Sequence, residues 1–300
     1  MKSFGFDKVS LETILDYIEK NDITSSVIKG LSTAHATDFR FSDKYVIKKL
    51  LPPEFACFSQ MLHPVNEVQR RFAKHLPEVY GLVYDPEADM CMIAMENFAA
   101  VDTCSVIEVK VGYYNFLPSH HEGKQQSKIR SAFLMESIDL GYRICMTQRK
   151  NLKGEMIENR KIEKVLGIKH PLKPNSLSIG LKLLPEEREA GKLDFLLKAI
   201  DYFEGQVRDL HDIFENGITD LQYMITAASL MFMIDFEKET YSLRFIDFGC
   251  SFPCSRMEVW KYEQAASLKS ILEDIRNTRA GIIEQSKIDE KSQSLEVKTE

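Results

Sequence analysis

The sequence predicts an α+β fold built as two lobes, and three observations carry that expectation. Short apolar runs bounded by Pro, Asp and Gly fill the first third of the chain, as strands do. The strongest stripe of helical periodicity lies beyond residue 190. Between the two, near residues 96–104, the pattern changes. Strands first and helices mostly later is the order of an α+β chain, and 300 residues leave room for two units.

Taken in order, residues 44–50 hold Tyr45-Val46-Ile47, a buried-strand run that stops at Pro52-Pro53. Pro53 suits the first turn of a helix, and Phe55, Phe58 and Leu62 follow at helical spacing. Residues 79–84 and 90–95 are apolar runs on either side of Asp85-Pro86-Glu87-Ala88-Asp89, which predicts a hairpin. Residues 104–111 read as a strand and 124–140 as a basic helix. Leu196, Ile200, Phe203, Val207, Leu210 and Phe214 recur in steps of 4 and 3 and so define one apolar helix face. Residues 227–235 and 243–248 read as two buried strands joined by Glu237-Lys238-Glu239-Thr240. Leu268, Ile271, Leu272 and Ile275 mark a last helix. The expected organisation is an N-terminal lobe over 1–97, mostly strands with one helix, and a C-terminal lobe over 98–280. A polar, disordered tail over 281–300 is expected to follow.

Composition narrows the function classes. The hydrophobic share of 44% and charged share of 28% are those of a globular protein. The longest unbroken apolar run, residues 90–95, is far short of the ~20 residues of a membrane helix. The first residues lack the apolar core of a signal peptide, so a cytosolic or nuclear chain without a membrane span is expected. Six cysteines without a C-x-x-C pair read as reduced, buried thiols and not as a metal set. A net charge of −6 argues against a nucleic-acid partner. Residues 105–153 nevertheless carry eight basic side chains against four acids, a local field suited to a compact, highly anionic ligand. Nothing in the sequence identifies a protein partner.

Four features point to chemistry. Lys48 lies in the first strand run, where an ammonium can reach nucleotide phosphates, and Glu54 at the following helix start can hold it. Met95-Glu96-Asn97-Phe98 follows the hairpin as an inter-lobe linker that can offer backbone groups to a purine. Glu108 and Lys110 stand two apart on one strand and so share a face. In phosphoryl transfer a lysine neutralises charge on the moving group and a carboxylate orients a hydroxyl or sugar. Ile246-Asp247-Phe248-Gly249 closes a strand with an aspartate able to hold Mg²⁺ against phosphates. A protein kinase is excluded, because no H-R-D-x-x-x-x-N loop precedes Asp247 and no glycine-rich loop precedes Lys48. No G-x-x-x-x-G-K-[ST] occurs either.

In this order the motifs resemble those of the inositol polyphosphate kinase family. Cys104-Ser105-Val106-Ile107-Glu108-Val109-Lys110-Val111-Gly112 is similar to its P-x-x-x-D-x-K-x-G signature, and Leu140-Gly141-Tyr142-Arg143-Ile144-Cys145-Met146 to its L-G-F-R-I-C-G-M. Ala228-Ser229-Leu230-Met231-Phe232 with Asp235 resembles S-S-L-L-F…D, and Ile246-Asp247-Phe248 matches I-D-F. Leu76-Pro77-Glu78-Val79-Tyr80-Gly81 is similar to I-P-x-Y-Y-G, and residues 266–272 to the closing helix, so the resemblance spans about residues 44–276. Five positions depart from the pattern. Glu108 replaces the signature aspartate, Cys104 its proline, Tyr113 and Tyr114 a polar residue and an arginine, and Cys145 runs into Met146 without the glycine.

The resemblance implies a kinase-like fold, similar to SAICAR synthase, with ATP between the lobes. It implies that Lys48 serves ATP phosphates, that Glu96 and Phe98 flank adenine mainly through backbone, and that Glu108 lies by the ribose and acceptor. Lys110 is implied to touch both the acceptor and the transferred phosphoryl group, and Asp247, with Ser229 beside it, to hold Mg²⁺. Gly141 stands only 29 positions after Gly112, like the short substrate segment of the hexakisphosphate kinases and the multikinase. On that segment's helix Lys124 and Lys128 present two ammoniums to one face, a counterpart for clustered phosphates. Inositol hexakisphosphate is the first expected acceptor and lower inositol phosphates the second. A non-catalytic relative that binds nucleotide or inositol phosphates as a sensor or scaffold is the alternative.

Overall fold

The computed structural model describes residues 2–4, 39–41, 45–85, 90–97, 104–112, 141–150, 156–161, 192–226, 228–248, 250–253 and 263–296. The basic helix expected over 124–140 lies outside them.

The N-terminal part is an antiparallel sheet in the order β1-β4-β5-β3-β2. Its strands are β1 (Lys2–Phe4), β2 (Phe39–Phe41), β3 (Tyr45–Leu50), β4 (Val79–Asp85) and β5 (Met90–Glu96). The expected hairpin is β4–β5, with Leu82 opposite Ile93, and β3 lies along the far side of β5, Tyr45 opposite Glu96. Two helices connect β3 to β4. Helix α1 (Pro52–Leu62) starts on its prolines and buries Cys57, Phe58 and Met61. Helix α2 (Glu67–Ala73) starts on Asn66, whose side chain accepts a hydrogen bond from the Gln69 amide at 2.9 Å. One helix was expected here; the second escapes a periodicity reading because seven residues give only Val68 and Phe72 as an apolar pair.

The second sheet runs β11-β10-β6-β7-β8, with neighbours antiparallel throughout. Its members are β6 (Cys104–Val111), β7 (Tyr142–Lys150), β8 (Met156–Lys161), β10 (Ser229–Asp235) and β11 (Thr240–Ile246). Every residue of β10 is buried, which is why its middle, residues 230–234, is an unbroken apolar run. Asp235 turns it into β11 by accepting from the amides of Glu237 and Lys238, both at 3.0 Å. A short pair, β9 (Tyr223–Thr226) with β12 (Cys250–Pro253), stands beside α1.

Helix α3 (Leu193–Asn216) carries the predicted stripe, and Phe203 meets Phe232 of β10 edge-on at 5.2 Å. The four-residue helix α4 (Ile218–Leu221) follows it, and the long α5 (Glu263–Glu296) packs along α3. The disordered tail expected past Gly281 is therefore corrected, since the chain is helical to Glu296. Glycine inside a helix costs about 1 kcal/mol, but Ile282 next to it is fully buried in the main core. Just before it, Arg279 Nε meets Asp201 Oδ1 of α3 at 2.6 Å. No helix among the described residues is long and apolar enough to cross a membrane.

Helices α1 and α2 also reach beyond their own sheet. Phe58 lies 5.0 Å from Phe248, and Phe72 meets Phe214 and Phe245 edge-on at 6.0 and 5.8 Å. Arg71 pairs with Asp209 at 2.5 Å and Asp212 at 2.7 Å, and His75 Nε2 lies 2.7 Å from Asp209. The His75 carbonyl accepts from the Phe245 amide at 2.8 Å, which occupies the outer edge of β11.

Candidate active site

Three segments far apart in the chain bring charged side chains together. The first is β3, which places the ammonium of Lys48 2.5 Å from Oε1 of Glu54 on α1. The second is the end of β11. Asp247 follows its last residue with φ of 69°, a left-handed conformation that costs a non-glycine residue about 1–3 kcal/mol and that aspartate tolerates better than most. Its carboxylate then stands between two cations: Lys48 Nζ is 3.6 Å from Oδ1, and Lys110 Nζ of β6, the third segment, donates directly to Oδ2. Glu54 closes the group from behind. Only 2% exposed, it also accepts from the Phe248 amide at 3.2 Å.

The charges reinforce one another. Burial alone would depress both lysines, but Glu54 and Asp247 outweigh it at Lys48, and Asp247 with Glu108 outweighs it at Lys110, so both pKa values stand above the ordinary 10.5. Burial would raise Asp247, yet Lys110 and Lys48 hold its carboxyl well below the usual carboxylate range. Burial pushes Glu54 up, with Lys48 acting against it. The Asp247 side chain remains 44% exposed against 14% and 15% for Lys48 and Lys110, so a solute can reach its carboxylate.

Alternation along β6 explains its sequence. Ile107, Val109 and Val111 face the main core. Cys104 and Val106 face the other way and pack with Met146, Met231 and Met233. Glu108 and Lys110 continue that second face, so an apolar floor leads up to the charged end. Glu108 Oε1 accepts from the hydroxyl of Ser229, which is wholly buried on β10, at 2.9 Å. On β7, Arg143 pairs with Lys110, Ile144 with Val109 and Met146 with Glu108, leaving Cys145 as a bulge facing the carboxylate. Burial pushes the Cys145 thiol up, and the Cys104 thiol up to about 12, so neither is an activated nucleophile.

Of the residues singled out from sequence, Lys48, Lys110 and Asp247 meet directly, and Glu108 and Ser229 lie beside them as a bonded pair. Glu96 stands apart. Its amide donates to Glu78 at 2.8 Å, which removes that donor from any purine, and its carboxylate meets Arg244 of β11 at 2.6 Å. It ties the two sheets together across 148 residues of sequence. Phe98, Lys124 and Lys128 lie outside the described residues. Arg143, Arg244 and the Cys145 bulge are the neighbours that sequence reasoning did not place. Arg143 had a signal, as a cation in the run that follows Gly141, and so did Cys145, where the chain departs from the family pattern.

A divalent cation fits the donor chemistry here. Asp247 offers a hard, fully ionised carboxylate at an exposed point, and the remaining ligands would be phosphate oxygens. Among the described residues there is no group of three His, Cys, Asp or Glu able to bind a metal without such help.

Known proteins resemble this chain in fold and in family. A search of curated protein sequences found no match. The solved inositol phosphate multikinase Ipk2 from S. cerevisiae, in complex with ADP and Mn²⁺, superposes with a TM-score of 0.55 at 15% identity, covering 78% of this chain and 98% of that one. A second inositol phosphate multikinase structure gives 0.50 at 17% identity, covering 73% and 97%. At these identities the likeness establishes the fold, a two-lobed kinase-like one. The family model for inositol polyphosphate kinase matches residues 92–274, more than half of the chain and the stretch that carries Glu108, Lys110, Ser229 and Asp247. The chain belongs to the inositol polyphosphate kinase family.

Proposed function

We propose that this protein transfers the γ-phosphoryl group of ATP to an inositol polyphosphate, with inositol hexakisphosphate the preferred acceptor and lower inositol phosphates the second. The observation that carries the reading is the meeting of Lys48, Lys110 and Asp247 from three separate segments. Two ammoniums flanking one ionised carboxylate suit a reaction in which negative charge moves between phosphates. Lys48 binds ATP phosphates, held from behind by Glu54. Lys110 neutralises the group in transit, and Glu108 orients a hydroxyl of the ribose or acceptor. Asp247 would hold the metal, Mg²⁺ by preference; when bound it screens the phosphate oxygens. Both lysines must loosen from Asp247 as it engages. The Mn²⁺ and ADP of the yeast multikinase structure support a nucleotide with a divalent metal.

In the reaction an acceptor oxygen bonds to the γ-phosphorus as the bond to the β–γ bridging oxygen breaks, and ADP leaves with that electron pair. In a lower inositol phosphate the acceptor is a ring hydroxyl that must lose its proton. In hexakisphosphate it is a phosphate oxygen already ionised at neutral pH. Lys124 and Lys128 are proposed to hold the acceptor's phosphates. The test is incubation of the purified protein with Mg-ATP and a panel of inositol phosphates, with the products separated by chromatography. Conversion of hexakisphosphate ahead of the rest supports the whole reading. Faster conversion of a lower phosphate corrects the acceptor, and binding of ATP and inositol phosphates without turnover moves the protein to the sensor or scaffold role.

A further inference from the structure

The family signature has aspartate where this chain has Glu108, and the structure shows what the longer side chain does. Ser229 on β10 pairs with Lys110 and Met231 with Glu108, so Glu108 and Ser229 are diagonal neighbours on one face of adjacent strands. Diagonal positions stand far enough apart that only a long side chain closes the gap. Glu108 closes it, with Ser229 Oγ 2.9 Å from Oε1. An aspartate, one C–C bond shorter, would fall about 1.5 Å short, beyond hydrogen-bond range. On the opposite side of Glu108 the β7 register slips by one residue, at Cys145.

We propose that Ser229 is a positioning residue for Glu108. Its hydroxyl fixes Oε1 and leaves Oε2 to accept from the substrate hydroxyl that Glu108 orients. This inference rests on the phosphotransferase reading above and replaces the metal-ligand role expected for Ser229. Ser229 is wholly buried, so its hydroxyl is set by its strand and not by solvent. Its neighbour Ala228 is anchored through its carbonyl to the Val111 amide at 2.8 Å. A donor to an ionised carboxylate is among the stronger neutral-to-charged hydrogen bonds. Without it, Glu108 has rotamer freedom that a shorter carboxylate would lack.

The test is a double-mutant cycle on the full-length protein, read by steady-state kinetics with Mg-ATP and the best acceptor. Ser229→Ala in the natural background should lower kcat about tenfold while leaving the KM for ATP within about twofold. In a Glu108→Asp background, where no bond to Ser229 exists, the same substitution should change kcat by less than about twofold. The affinity for ADP with Mg²⁺, measured by calorimetry, should be the same for Ser229→Ala and the natural protein. Equal losses in both backgrounds overturn the proposal, because the hydroxyl then acts independently of Glu108. A tenfold loss of metal-dependent ADP affinity also overturns it and makes Ser229 a metal ligand. If the natural protein turns over no inositol phosphate at all, the functional reading itself has failed, which is visible before any variant is made.

Discussion

Glu54→Gln removes one negative charge from the site and changes little else. Glutamine keeps the shape and an acceptor oxygen in place of Oε1 for the Phe248 amide and Lys48 alike, while Lys48 loses the negative charge that stood 2.5 Å away. Breaking a buried ion pair from one side costs about 3–5 kcal/mol when the remaining charge is stranded. Lys48 is not stranded, since Asp247 Oδ1 lies 3.6 Å away, so the expected cost is about 2–3 kcal/mol. For a chain of 300 residues that lowers Tm by about 3–5 °C. The functional effect has the same origin. With Glu54 neutral, Lys48 is drawn wholly to Asp247 and is less available to phosphates, so the KM for ATP should rise about tenfold with the acceptor KM little changed. Scanning calorimetry and initial-rate kinetics on the same preparation measure both. A variant with unchanged Tm and unchanged ATP KM refutes the reasoning. It would show that Glu54, pushed up by burial, is already protonated in the native protein and that Lys48 is held by Asp247 alone.

Three further outcomes are expected. Asp247 is depressed and Lys110 raised, so their contribution to stability is complete between the ordinary values of 3.8 and 10.5, lost on acidification below the first and on alkalinisation above the second. In guanidinium titrations the stability gap between the natural protein and Asp247→Asn should be flat from about pH 5 to 9 and narrow in stronger acid; a gap that drifts steadily across neutral pH contradicts the pairing. Glu108→Gln should slow a lower inositol phosphate, whose hydroxyl needs orienting and deprotonation, by about a hundredfold and hexakisphosphate much less, and equal slowing would place Glu108 on the ribose. Reversing Lys124 and Lys128 to glutamate should raise the acceptor KM more than the ATP KM, with acceptor binding weakening as salt rises; equal effects on both substrates would remove those lysines from the acceptor site.

How much of this could be read from the sequence varied with how local the cause was. Strands β6 and β10 and helix α3 were legible because each carries its burial pattern within its own residues. Glu54 was legible as a partner of Lys48 because it stands six residues on, at a helix start. Strand β7 was not, since its second half, Thr147-Gln148-Arg149-Lys150, is polar and its bulge at Cys145 interrupts the alternation. The bond between Glu96 and Arg244 is purely tertiary, and no spacing rule connects residues 148 apart. The helix beyond Gly281 was misread because one buried isoleucine and inter-helix ion pairs hold a surface that is otherwise polar. The match of Lys48, Lys110 and Asp247 was legible as a set of motifs, but their contact depends on the left-handed turn at Asp247, which nothing in the local sequence announces.

Helices α1 and α2 belong by chain order to the first sheet, and their aromatic side chains pack on α3, on β11 and on Phe248 just beyond it. A cut in the linker near residue 100 would therefore leave two halves, each with a torn face. One would carry Phe58 and Phe72 into water, the other Phe214, Phe245 and Phe248. Losing such aromatic packing costs several kcal/mol per side chain, a large part of the ~5–15 kcal/mol that holds a domain folded. The nucleotide-grasping half is thus not a transferable module. A fusion or exchange that keeps this packing intact would have to carry both sets of elements together.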